Sequence, residues 1–283
     1  GPLMAAQGVE SLFPLSELAV MGLLEVLPRI MRLRRLLHQA AEDVAARRPA
    51  VLVTIDSPGF TLRLLKLVGP SVKRAHYVAP QVWAWREHRV RHFPGLWDRL
   101  LCLLPFEPAY FAGHGLPAVF VGHPVLESGA GDGDAARFRA THHLAPDAPV
   151  LLLLPGSRRS EVARLLPVLA RTLALLAPAL PGLVAVVPVA SAVADTVRAA
   201  TSGWPVRPIV VSGIDEKHDA FAAATAAVTK SGTSTLELAL AGVPMVVTYR
   251  VNPLTAMIAR RLVKIRFAAM VNLLAGRELV PEL

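Results

Sequence analysis

The 283-residue sequence predicts an α/β chain of two parallel-sheet halves, and three observations carry that prediction. Short β-branched or leucine-rich runs alternate with longer helical patterns from end to end, as parallel strands joined by crossover helices require. Apolar residues make up 53% of the chain and charged residues 18%, far from the polar composition of disorder. The length exceeds that of one ordinary domain, so two cores are expected.

In the first half, strands are expected from Val51 to Ile55, Arg74 to Val78, Leu100 to Leu104 and Ala118 to Val121. In the second they are expected from Val150 to Leu154, Leu183 to Val187, Arg207 to Val211, Ala226 to Val228 and Met245 to Thr248. Most intervening segments are long enough for crossover helices. Between the halves, Glu127-Ser128-Gly129-Ala130-Gly131-Asp132-Gly133-Asp134 is small, polar and glycine-rich, and reads as a linker. The boundary is placed there, giving Rossmann-like domains at 1–126 and 127–283. The uncharged stretch from Thr172 to Ala194 could span a bilayer by length alone. Pro178, Pro181, Gly182 and Pro188 instead divide it into a helix end, a turn and a strand.

Cys102 is the only cysteine and lies in the run Leu100-Leu101-Cys102-Leu103-Leu104, which leaves no disulfide framework or thiolate metal site and predicts a core residue. Thirty Lys and Arg against 21 Asp and Glu give a formal charge of +9, so a partner or surface of negative sign is expected. No RNP-type motif, zinc spacing or basic repeat accompanies that charge, which sets nucleic acid behind anionic lipid. The chain start lacks a signal-peptide layout and favours a cytoplasmic protein.

Ligands of open parallel sheets bind beyond the carboxyl ends of the strands, and three such places carry chemistry. Asp56 follows Val51 to Ile55 and could act as a general base; the alternative is an Asx-turn or helix cap ahead of Pro58. In Leu154-Pro155-Gly156-Ser157-Arg158-Arg159-Ser160-Glu161, Gly156 permits close backbone approach, while amides at the helix start and Arg158 suit a pyrophosphate. In Lys230-Ser231-Gly232-Thr233-Ser234-Thr235-Leu236-Glu237, the hydroxyls of Ser231 and Thr233 and the freedom of Gly232 suit phosphate, and Glu237 could accept two ribose hydroxyls. Ordinary strand-turn-helix capping is the alternative at both turns. Two phosphate-suited turns in one half are more informative than either alone.

Basic and apolar residues also mix at helical spacing. Leu23, Val26, Leu27, Ile30, Met31 and Leu37 accompany Arg29, Arg32, Arg34 and Arg35. Trp83, Trp85, Arg86, Arg89 and Arg91 form a second cluster, and Arg260, Arg261, Lys264 and Arg266 alternate with Ile258, Leu262, Ile265 and Phe267. Such faces suit peripheral attachment to anionic lipid, or else a core-facing helix with a solvated basic side.

Several segments together resemble the lipid-A-disaccharide synthase family, bacterial glycosyltransferases of the GT-B class. They are Glu17 to Leu27, His76 to Arg86 with Trp83-Ala84-Trp85-Arg86, Leu104-Pro105-Phe106-Glu107, Gly122-His123-Pro124, Leu154 to Arg158, Ser231-Gly232-Thr233 with Leu236-Glu237, and Asn272 to Leu279. They run in family order across almost the whole chain. The resemblance implies two Rossmann-like domains whose parallel sheets face across a cleft. It implies transfer of diacylglucosamine from UDP-2,3-diacylglucosamine to the 6-hydroxyl of 2,3-diacylglucosamine 1-phosphate, with release of UDP, no cofactor and no metal. It further implies a cytoplasmic protein peripheral to the inner membrane. From the basic-apolar clusters, Arg29, Arg32, Arg35, Trp83, Trp85 and Arg86 are expected on an anionic-membrane and acceptor surface, and a homodimer of the full-length form stays open. Asp56, Arg158 and Asn272 match catalytic or active-cleft positions, and Glu237 matches the ribose carboxylate. Gly59 and Thr61 stand where the family usually has aspartate and asparagine. The match starts inside the family's first domain and stops before its C-terminal region, which implies a partial chain.

Two other readings share these features. A nucleotide-sugar epimerase would use the same phosphate turns, and a non-catalytic module would bind UDP without turnover.

Overall fold

The computed structural model describes residues 2–14, 17–18, 30–249 and 265–283. The chain divides into two compact units, Gly1–Gly122 and His123–Leu283. The first contains α1 (Pro2–Ala6), α2 (Ile30–Arg47), β1 (Val51–Ile55), α3 (Pro58–Val68), β2 (Lys73–Tyr77), β3 (Arg99–Cys102), α4 (Glu107–Ala112) and β4 (Ala118–Phe120). Its strands are all parallel, in the order β1-β2-β3-β4. Along β1 the alternation puts Thr54 inside and leaves Val51, Val53 and Ile55 about half exposed. Leu65, Phe93, Trp97, Leu100 and Phe111 build the core.

Strand β3 stops at Cys102, two residues short of the expected Leu104. The Glu107 carboxylate accepts the amides of Leu103 and Leu104 at 3.1 and 3.0 Å, which diverts both from a strand ladder. Cys102 is fully buried, and burial, reinforced by the Glu107 charge, pushes its thiol up to about 12.

The second unit contains α5 (Ala135–Thr141), β5 (Val150–Leu154), α6 (Arg159–Leu176), β6 (Val184–Pro188), α7 (Ala194–Thr201), β7 (Ile209–Val211), α8 (Ile214–Ala222), β8 (Ala226–Lys230), α9 (Ser234–Leu240), β9 (Met245–Thr248) and α10 (Met270–Ala275). Its parallel sheet has the order β7-β6-β5-β8-β9. Strand β5 is buried on both faces. Val150, Leu152 and Leu154 join Phe138, Phe221 and Leu238 on one side, while Leu151 and Leu153 join Val162, Leu169 and Leu173 on the other. The stretch from Thr172 to Ala194 is divided into the end of α6, a turn and β6, as its prolines predict.

The glycine-rich segment is not a linker, and the second unit begins at His123 rather than 127. Gly133 packs so closely on the His218 carbonyl that a Cβ there would collide, and Ala130 is buried. The Asp134 amide bonds Asp219 at 2.7 Å, and Arg137 grips the same carboxylate with two bonds of 2.6 Å. Small residues that permit close packing have the composition of a flexible linker, which is why the sequence misleads here.

Candidate active site

From β5 the chain moves outward through β6 to β7, then returns to place β8 on the other side of β5. The sheet's switch point therefore lies between β5 and β8, where open parallel sheets hold their ligands. Both predicted glycine turns open there. A cavity of about 590 Å³ is lined by Gly156, Ser157 and Arg158 after β5, Ser231, Gly232 and Thr233 after β8, and Glu237, together with Glu161, Lys217 and Lys230. All the donor-side residues expected from the sequence meet in this cavity.

The sequence alone does not mark Glu161, Lys217 or Lys230 as site residues, yet all three line this cavity. Glu161 Oε1 accepts from Arg158 Nη1 at 2.8 Å and pairs with Lys230 Nζ at 3.1 Å. Its Oε2 reaches back to the amides of Ser157 and Arg158 at 3.3 and 3.4 Å, as a glutamate in the first turn of a helix can do. Burial alone would raise the Glu161 carboxyl; the hydrogen bonds and charges of Lys230 and Arg158 outweigh it and hold the group below its ordinary value. Gly156 has φ +102°, and a Cβ on it would come within 2.5 Å of Glu161 Oε2. Glycine is required there by conformation and by space. Lys217 Nζ donates to Glu237 Oε1 at 2.9 Å, which ties α8 to α9 across the cavity. The only signal for the lysines was their type, since strand order decides their partners.

Asn272 does not line the cavity. It is fully buried on α10, where its amide nitrogen donates to Val280 O and Glu282 Oε1, both at 2.8 Å. Its oxygen accepts the amides of Leu279 and Val280 at 2.7 and 3.0 Å. Glu282 in turn accepts the amides of Ala268 and Ala269, and the Ala268 carbonyl accepts Ser231 Oγ at 2.6 Å. Asn272 therefore supports the second glycine turn from behind, instead of presenting its amide to a ligand.

In the first unit, Asp56 and Ser57 both adopt left-handed backbone, with φ of 46° and 47°. Non-glycine residues in that region cost about 1–3 kcal/mol each and cluster at functional sites. The N-cap of α3 is Ser57, without a side-chain cap bond, so Asp56 does not serve as the cap. The turn is held by Thr61, whose hydroxyl donates to Asp56 O at 2.7 Å and Ser57 O at 3.0 Å. A Cβ at Gly59 would meet nothing within 4 Å, so the backbone leaves open space where the family's aspartate would begin. Beside Asp56 lies His76, buried and stacked on Trp97, with Nδ1 2.8 Å from Thr54 Oγ1. Burial lowers the His76 pKa to about 4 against the opposing pull of Asp56, so the ring is neutral near pH 7.

The surface candidates divide. Trp83 turns inward, donating its indole N–H to the buried Glu107 at 3.1 Å and packing edge-on against Phe106. Burial raises the Glu107 carboxyl, opposed by these hydrogen bonds. Trp85 is 41% exposed, with the Arg86 guanidinium 4.0 Å from its ring centre. Arg35 is exposed, as are Ile30 and Met31, whereas Arg32 makes a bidentate pair with Glu17 at 2.7 Å. Arg29, Arg260, Arg261 and Lys264 lie outside the described residues. Among the described residues, no helix is long and apolar enough to cross a membrane, and no group of three His, Cys, Asp or Glu could hold a metal ion.

Comparison with solved structures places the fold. A UDP-GlcNAc 2-epimerase from Neisseria meningitidis bound to UDP-GlcNAc superposes with a TM-score of 0.60 at 12% identity, over 97% of this chain and 78% of that one. An S. aureus MnaA structure with UDP gives 0.59 at 14%, over 97% and 75%. Two parallel α/β sheets in series are the GT-B plan, and at these identities the likeness concerns the fold alone. Sequence relatives say more. The lipid-A-disaccharide synthase of Granulibacter bethesdensis is 64% identical across this whole chain, which spans 72% of it. That of Gluconobacter oxydans is 61% identical, with 68% spanned. A family model for lipid-A-disaccharide synthetase matches residues 1–283, which sets aside the epimerase reading: the chain belongs to the lipid-A-disaccharide synthase family, glycosyltransferases of lipid A biosynthesis.

Proposed function

We propose that the second unit binds the UDP of UDP-2,3-diacylglucosamine, and that the sugar is transferred to the 6-hydroxyl of 2,3-diacylglucosamine 1-phosphate. The observation that carries this reading is the convergence of both glycine turns, Arg158, Lys230 and Glu237 on one cavity at the switch point. Arg158, Lys230 and the loop amides would stabilise the charge that develops on the leaving diphosphate. Glu237, oriented by Lys217, would accept the ribose hydroxyls. Asp56 would take the proton from the acceptor hydroxyl, a role suited to an exposed carboxylate on a strained turn beyond a strand. Asn272 enters as a positioning residue, acting through Glu282, Ala268 and Ser231.

Peripheral attachment to an anionic inner-membrane surface would use Arg35, Trp85 and Arg86 with exposed Ile30 and Met31. Supplying both lipid substrates in mixed micelles and measuring disaccharide and UDP tests the reaction. Equimolar products are expected. UDP binding without disaccharide would reduce the chain to a binding module, and no UDP binding would overturn the donor-site assignment.

A further inference from the structure

The cavity's anion donors are already engaged by an internal carboxylate. Glu161 takes the Ser157 and Arg158 amides on one oxygen and the Arg158 and Lys230 side chains on the other. Gly156 leaves the room it occupies. A diphosphate entering beside these donors meets a fixed negative charge as well as the cations.

We infer that Glu161 is a specificity-determining residue that discriminates by phosphate charge, favouring a nucleotide-sugar diester over a free nucleoside diphosphate. The inference rests on the reading that UDP occupies this cavity. In a nucleotide-sugar each phosphate of the diphosphate carries one negative charge. In a free nucleoside diphosphate the terminal phosphate is a monoester, which gains a further charge above a second ionisation near pH ~6. That charge arises where the sugar was bonded, and Arg158 and Lys230 attract it while Glu161 repels it. With Glu161 in place one of the two attractions is offset, so the product's additional charge gains less hold than the two cations alone would give it. A unit charge about 5 Å away at a half-exposed site changes affinity on the order of tenfold.

The test uses the full chain and calorimetric titration with UDP and with UDP-N-acetylglucosamine as a soluble diester. In the unmodified protein, UDP affinity should rise by no more than about tenfold between pH ~5.5 and ~7.5, across the phosphate ionisation. Glu161 keeps its charge over that window because its carboxyl is held low. In Glu161→Gln, UDP should gain about tenfold more affinity than the diester does at the higher pH, and UDP affinity should rise with pH about tenfold more steeply than in the unmodified protein. Glutamine retains the reach-back bonding of a first-turn glutamate, so α6 should still form. If both ligands weaken by the same factor in Glu161→Gln, the residue only positions its cations and the inference is wrong. A rise of UDP affinity with pH that is the same size in the unmodified protein and in Glu161→Gln would also overturn it. Arg158→Gln separates the two levels: unchanged UDP binding there would remove UDP from this cavity altogether, whereas weakened binding with no charge discrimination by Glu161 would defeat this inference alone.

Discussion

Asn272 offers the sharpest separation of a structural role from a catalytic one. Replacing it by alanine removes four hydrogen bonds at a fully buried position, from its amide nitrogen to Val280 O and Glu282, and to its oxygen from the Leu279 and Val280 amides. Each contributes about 1 kcal/mol net, and the stranded backbone groups lose their partners without regaining water, so Asn272→Ala should cost about 3–5 kcal/mol. Glu282 keeps the amides of Ala268 and Ala269, which limits the damage. Asn272→Asp preserves the two acceptor bonds but places a second carboxylate about 2.8 Å from Glu282 Oε1. Two carboxylates so close cannot both ionise cheaply. The Asp variant should therefore be destabilised at neutral pH and recover partly on acidification, when one of the pair takes up a proton and becomes a donor. Urea denaturation followed by circular dichroism reads both effects, and calorimetry on the folded protein reads the loss of UDP affinity transmitted through Ala268 to Ser231. A variant Asn272→Ala that unfolds within about 0.5 kcal/mol of the parent, yet loses turnover 100-fold, would refute this reasoning and place Asn272 against the substrate.

Three further outcomes are expected. Asp56→Asn should lower turnover at least about 100-fold with UDP affinity little changed, as loss of a general base requires; steady-state rates and calorimetry decide, and near-parental turnover would return Asp56 to a turn role. Chelator should leave transfer unchanged, because Arg158, Lys230 and the loop amides can carry the leaving-group charge; activity abolished by EDTA and restored by magnesium would show that they do not suffice. Vesicle sedimentation should show binding that needs anionic lipid and weakens with salt, and Arg35→Glu with Arg86→Glu should weaken it further, each charge contributing about 1 kcal/mol. Equal binding to neutral vesicles at every salt concentration would remove the electrostatic contribution.

Local sequence signals determined the elements and the family. Apolar runs marked the strands of the second sheet, because burial on two faces demands continuous hydrophobicity in β5 and its neighbours. Glycine and proline marked the turns, because their backbone limits act on adjacent residues. The segments Trp83 to Arg86 and Asn272 to Leu279 were legible as family features, though not for what their side chains do.

Tertiary structure decided the polar partners. Lys230 meets Glu161 only because β8 returns to lie beside β5, and Arg137 meets Asp219 across the same unit. Trp83 reads as a surface aromatic until Glu107 is brought beneath it, and Gly133 reads as a linker until His218 packs on it. Asn272 matched an active-cleft position, yet its amide is spent on Val280, Leu279 and Glu282. A backbone preference acts between neighbours along the chain, whereas a polar side chain must find its partner wherever strand order places one, and no local pattern in the sequence encodes that order.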